Sequence, residues 1–177
     1  MRCNALVLAA GLAFSAGAAA APPTYEFGRP ATPQEIAGAD IDVHPDGTGL
    51  PPGSGSVEQG ATIYASTCAA CHGERGEKPL SSALRLVGGQ GTLATPKAVK
   101  TVGSYWPYAT TLFDYIRRAM PFPAPRSLTA DQVYAVTAYL LRLNGIVPDG
   151  TVLDAATLPK IRMPNRDGFV NAYKPRQ

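Results

Sequence analysis

Apolar side chains recur at helical spacing in three windows of the chain, and the residues at the edges of each window mark where a helix starts and stops. In the first, Val57, Ala61 and Tyr64 share a face, and Ser56 followed three positions later by Gln59 makes a capping box. In the second, "TTLFDYIRRAM", Leu112, Tyr115, Ile116 and Ala119 fall on one side and Pro121 ends the run. The third is the clearest: Thr129 and Gln132 form another capping box, Val133, Val136, Leu140 and Leu143 repeat at threes and fours, and Gly145 stops it. Residues 73–103 between the first two read as loop, punctuated by Gly76, Pro79, Gly88, Gly89, Gly91 and Pro96. The pattern predicts an all-α core of three main helices tied by long loops. Helices this short bury little apolar surface by themselves, so something further has to fill the middle.

The flanks look different. Residues 22–55 are dense in Pro, Gly and Asp, with turn signals such as "HPDG" and "PPGSG" and no sustained periodicity. They read as an extended arm ordered against the domain or a partner, or else as a disordered leader. The helical domain then spans 56–147, and residues 148–177 form an irregular C-terminal tail. At the start, "MRCNALVLAAGLAFSAGAAAAPP" has one Arg, an apolar stretch and an Ala-rich site before Pro22, the layout of a signal peptide over 1–21 with cleavage near Ala20 or Ala21. The apolar run is short for a membrane span and no later segment is longer. The mature chain is therefore expected to be soluble and outside the cytoplasm.

Processing changes both the charge and the cysteine count. The formal charge of +3 falls to +2 with Arg2, too mild to suggest nucleic acid or anionic lipid as a partner. Cys3 leaves with the leader, and Cys68 and Cys71 remain in "CAACHG", too close together to staple distant parts of a fold. Their role is local chemistry. CxxCH is the attachment sequence for c-type haem: the spacing lets both thiols reach the two vinyl groups of one porphyrin while His72 points at the iron. A zinc site would want about four ligands, but the mature chain holds two Cys and two His, with His44 far upstream. A thiol redox site normally opens a helix after a strand, and no strand pattern precedes Cys68. One motif implies one haem.

The second axial ligand comes from Met120, Met163 or His44. Met120 is preferred, because it sits where a helix breaks into "MPFPAP", a proline-bounded loop suited to holding a thioether still; Met163 in "RMPN" is second, and His44 reads as a turn residue. Met/His ligation fills both axial positions, blocks substrate binding at the iron and raises the reduction potential. Around these candidates, Gly60 either lets the first helix cross the last closely near Tyr139 or is an ordinary weak spot in its helix. In "SYWPY", Trp106 and Tyr108 can pack on porphyrin while their N–H and O–H groups reach the propionates, or can serve as surface packing. Lys97, Lys100, Arg117, Arg118 and Arg126 either steer an acidic partner or form a solvated charged face.

With these residues in place the chain resembles a class I c-type cytochrome. The stretches "DIDVHPDGTGLPPGSGSVEQG", "LVGGQGTL", "KTVGSYWPYATTLFDYIRRAMPF" and "MPNRDGF" are, further, similar to the haem subunit of bacterial sulfite and Sox-type sulfur dehydrogenases, over roughly residues 26–170. The resemblance implies the class I cytochrome c fold around one covalently attached haem c. It implies thioether attachment at Cys68 and Cys71 and axial ligation by His72 and Met120. It also implies a periplasmic electron-transfer subunit between a separate molybdenum-cofactor subunit and a downstream cytochrome or oxidase. One departure stands out: many relatives place a proline before the leucine of "LVGG", its carbonyl holding the proximal imidazole, and here Arg85 precedes Leu86. Two other functions compete, a free periplasmic carrier and an enzyme acting at the iron, such as a thiosulfate-oxidising or peroxide-reducing cytochrome.

Overall fold

The computed structural model of the chain describes residues 27–170 and 172–173; the predicted signal segment lies outside them. The element order is α1 (Pro33–Ala39), β1 (Ser54–Ser56), α2 (Val57–Thr67), α3 (Ala69–His72), α4 (Ala109–Ala119), α5 (Ala130–Leu143) and β2 (Val152–Asp154), followed by a 3-10 turn at Leu158–Lys160. The three main helices, α2, α4 and α5, lie where the periodicity put them. Both expected capping boxes are closed. Gln59 N donates to Ser56 Oγ at 3.2 Å while Ser56 N donates to Gln59 Oε1 at 2.8 Å; Gln132 N and Thr129 Oγ1, and Thr129 N and Gln132 Oε1, repeat this at 3.3 and 2.9 Å.

Helix α5 is the centre of the molecule. Val133 to Ala138, Leu140 and Leu141 are all buried, a wider surface than the single stripe its spacing suggests, because α2, α4, β1 and β2 cover it from several directions. Glycine sets the closest approach. A Cβ on Gly60 would meet the Ala135 carbonyl, 2.5 Å from its carbon, and would lie 2.8 Å from Tyr139 Cβ. The expected crossing of α2 and α5 near Tyr139 is therefore observed, with the Tyr64 and Tyr139 rings 5.3 Å apart beside it. In α4 the buried residues are Ala109, Thr110, Leu112, Phe113 and Ile116. Tyr115, expected on that face, is instead exposed and stands edge-on to Trp106 at 5.5 Å.

Arm and tail turn out to be parts of the packing. β1, the end of the arm, pairs antiparallel with β2 of the tail, Gly55 opposite Leu153. Tyr134 Oη donates to Pro51 O at 2.9 Å, and Ser54 N donates to Asp131 Oδ1 at 2.7 Å. Leu153, Leu158 and Met163 of the tail are fully buried in the main apolar cluster. Part of the filling that three short helices lack thus comes from the two segments that read as irregular. The arm also contains α1, which the sequence reading did not anticipate, although its Thr32/Glu35 capping box and Pro33 are the same start signal that marks α2 and α5.

Candidate functional site

The CAACH segment is one tight helical turn continuing the line of α2. Cys68 caps α2 and opens α3; Cys71 N and His72 N both bond to Cys68 O, at 3.1 and 3.0 Å. Three residues of helical spacing place the two cysteines on one face, with His72 one step further round. Gly73, at φ 80°, stops the turn, and the buried Tyr64 Oη donates to Gly73 O at 2.9 Å, anchoring the turn to the preceding helix. Cys68 packs against the core while Cys71 is exposed. Burial first, and the neighbouring Cys71 second, push the Cys68 thiol up to about 11. A redox-active CxxC needs the opposite, a stabilised thiolate. Nor, among the described residues, do three His, Cys, Asp or Glu side chains gather as a metal site of the zinc kind.

His72 Nδ1 lies 2.9 Å from Leu84 O. A carbonyl can only accept, so Nδ1 carries the proton and the Nε2 lone pair is left for a ligand. Where the sequence left open which backbone carbonyl meets the imidazole, the answer is Leu84, one residue before Arg85. The arginine turns outward and donates from Nε to Glu77 O at 2.7 Å. The loop closes on itself through Leu80 N to Cys71 O at 2.9 Å and Leu86 N to Gly76 O at 2.8 Å.

Met120 caps α4, its N bonded to Ile116 O at 3.0 Å, in an extended conformation before a cis bond to Pro121. It is half-buried against the core. Met163, by contrast, is 1% exposed and belongs to the core itself. His44 sits in an exposed turn, its backbone bonded to Gly47 and Thr48. Trp106 packs on the core and Tyr115; the Tyr108 ring lies under the Arg166 guanidinium of the tail at 4.3 Å. Three of the basic residues considered for steering hold the arm instead. Arg117 Nη1 donates to Ile41 O at 3.3 Å, Arg126 Nη2 to Gly38 O at 3.0 Å, and Arg118 bridges Asp114 and Asp42. Lys100 stands over the Tyr105 ring.

Large apolar side chains are left exposed beside these groups. Leu80, bonded through its backbone to Cys71, is 72% exposed; Leu84, whose carbonyl meets His72, 78%; Phe122, two residues past Met120, 82%. Burying each against an apolar body would be worth roughly 1.5–3 kcal/mol. The donors that adjoin these residues along the chain, two thiols, an imidazole with a free Nε2 and a thioether, are those that c-type haem uses. The sequence profile described as Cytochrome c matches residues 57–144. The crystal structure of the sulfane dehydrogenase SoxCD from Paracoccus pantotrophus contains a chain 46% identical to this one, over 83% of this chain and 72% of that chain, with a TM-score of 0.77. The protein belongs to the cytochrome c family. This cytochrome has the class I fold, and its family binds haem c covalently, for which Cys68 and Cys71 are a compatible pair. Haem supplies reversible one-electron chemistry, and the chain is accordingly an electron carrier. A second structure, thiosulfate dehydrogenase (TsdBA) from Marichromatium purpuratum, is 28% identical over 48% of this chain and 17% of that chain; its TM-score of 0.35 is too low to support an argument. A search of curated proteins gives no significant match. Among the described residues, no helix of this cytochrome is long and apolar enough to cross a membrane.

Proposed function

We propose that this cytochrome is the single-haem electron-transfer subunit of a periplasmic sulfur-compound dehydrogenase. It receives electrons one at a time from a molybdenum-cofactor catalytic subunit and passes them to a further cytochrome or an oxidase. The signal peptide over 1–21 exports it, and the arm (22–55), haem domain (56–147) and tail (148–177) make up its plan. Cys68 and Cys71 form the thioethers, His72 and Met120 hold the iron, and Trp106 and Tyr108 flank the porphyrin. With both axial positions taken by side chains, substrate chemistry is left to the partner. Met163 is an unsuitable ligand because withdrawing it from the core would open a cavity, at a cost of about 2–5 kcal/mol.

The observation that carries this reading is the extent of the likeness to SoxCD. The family profile stops at residues 57 and 144, whereas 83% of the chain is aligned, so the likeness runs on into the arm and tail. The mere presence of an arm does not argue against a free carrier, since the arm helps to complete this protein's own packing. Its similarity to the same region of a dehydrogenase does. Isolation of the native protein tests the proposal: a covalently haem-stained chain travelling with a molybdoprotein in fixed ratio is expected. A monomer of full redox competence with no such companion rejects it.

A further inference from the structure

Asn144, the residue that caps α5, is 8% exposed, and its side-chain amide is fully engaged. Nδ2 donates to Leu140 O within the helix at 2.9 Å and to Leu86 O across the loop at 3.2 Å, while Oδ1 accepts from Gly88 N at 3.2 Å. Its backbone oxygen accepts from Gln90 Nε2 at 3.1 Å. Room for the amide is made by Gly103, where a Cβ would come within 2.7 Å of Asn144 Cγ. One side chain on the central helix therefore grips the loop at Leu86 and Gly88. Leu86 is two residues from Leu84, the carbonyl that meets His72, and Leu86 N is tied to Gly76, four residues beyond His72. The neighbouring loop also holds this stretch, Thr101 Oγ1 donating to Gly88 O and Val102 N to Leu86 O at 3.3 Å, but among the described residues only Asn144 ties it to α5.

We propose that Asn144 is a positioning residue for the His72 imidazole: by fixing residues 86–88 to α5 it keeps Leu84 O on Nδ1–H and so sets how strongly the ring donates to iron. The inference rests on His72 being an iron ligand, as proposed above. A hydrogen bond to the far nitrogen fixes ring orientation and raises ligand basicity, which favours the oxidised metal. Loosening the loop weakens that bond and moves the potential upward. Deleting the amide leaves Gly88 N without its acceptor and Leu86 O with Val102 N alone, which frees the loop to shift.

The test uses the holo-protein. In Asn144→Leu the reduction potential should rise. The His72 ring N–H, followed by NMR in the reduced form, should exchange with solvent faster by up to about tenfold, the change that loss of one net hydrogen bond permits. Leu153→Ala, a core truncation on β2, should lower stability while leaving potential and exchange as in the unmodified protein. If Leu at 144 prevents haem attachment, Asn144→Ser serves: its hydroxyl can keep the bond to Leu140 O but is too short to bond the loop, and the same two shifts are expected. A variant at 144 that is less stable yet unchanged in both readouts overturns the proposal. Failure of the underlying ligand assignment would be visible earlier, as the lack of an iron-bound His72 signal in the unmodified protein.

Discussion

Replacing Gly60 by alanine would put a methyl group against the Ala135 carbonyl, 2.5 Å from the carbonyl carbon and 2.8 Å from Tyr139 Cβ. Neither neighbour can give way easily, since one is helix backbone and the other is the stem of a ring stacked near Tyr64. Restoring ordinary contact requires the two helices to part by about 1 Å. Overpacking of this kind costs up to about 3 kcal/mol. The new residue returns about 1 kcal/mol through its better helix propensity, leaving a net loss near 2 kcal/mol. For a chain of this length that lowers Tm by about 4–8 °C, measurable by following helix circular dichroism of the holo-protein on heating. Because α2 runs directly into Cys68, the displacement reaches the CAACH turn, so the fraction of chains carrying haem should fall too. Gly38→Ala in α1 is the matched control: nothing lies within 4 Å of its Cβ, so only the propensity gain remains and stability should hold or rise by up to about 1 kcal/mol. A Gly60→Ala protein as stable as the unmodified one, or more so, would mean that propensity outweighs the crossing and that the helices are not held this close.

Met120→Ala should lower the potential and open the iron to added ligands in the visible spectrum, whereas Met163→Ala should lose about 2–5 kcal/mol of stability with the spectrum unchanged; the reverse outcome exchanges their roles. Tyr134 should make stability fall with alkaline pH. Burial, and then Asp154, raise its phenol from 10.0 to about 12, so its contribution is complete below pH 10 and is lost as pH rises towards 12. Tyr134→Phe should flatten that part of the urea-midpoint profile and cost about 1 kcal/mol at neutral pH through the bond to Pro51 O. Equal slopes in both proteins would remove Tyr134 as the source. Arg118→Ala, which frees Asp42 of the arm, should cost less than about 1 kcal/mol. That cost should vanish in about 1 M salt, where exposed pairs are screened; a larger, salt-independent loss would show that the arginine acts through packing.

What could be read from the sequence follows from where the information sits. The starts of α2 and α5 are written in side chains that bond within four residues, so Ser56/Gln59 and Thr129/Gln132 were legible. Thr32 and Glu35 carry the same signal, but no apolar stripe follows it, because α1 buries none of its residues. Leu153, Leu158 and Met163 fill the core at spacings that match neither helix nor strand, and their burial depends on contacts far away in sequence, as where Leu153 pairs with Gly55 of the arm. The thiols, imidazole and thioether are chemically specific and stand out. The carbonyl that meets His72 belongs to the backbone, which every residue shares, so no substitution pattern marks Leu84. Asn144 before Gly145 reads as an ordinary helix end, and its reach to Leu86 and Gly88 becomes visible only when the loop is folded onto it.

The two sides of the site are held by different physics. Around His72 the supports are buried or half-buried hydrogen bonds to backbone, from Tyr64 to Gly73, from Asn144 to Leu86 and Gly88, and from Thr101 to Gly88. Each is shielded from water, and breaking one strands a polar group, so this side can yield only at substantial cost. Around Met120 the loop is bounded by prolines and tied by Arg126 to the arm, with Arg117 and Arg118 hooking the same arm from α4, and these bonds are largely open to solvent. They compete with water and salt and are individually weak. An electron carrier needs ligands that stay put when charge arrives, which favours support from rigid elements over support from loops. By that measure α5, through Asn144, steadies the histidine, while the methionine depends on short-range proline stiffness and on the arm lying across it. The arm therefore contributes on both counts, as a strand that completes the core and as a brace for the loop that carries Met120.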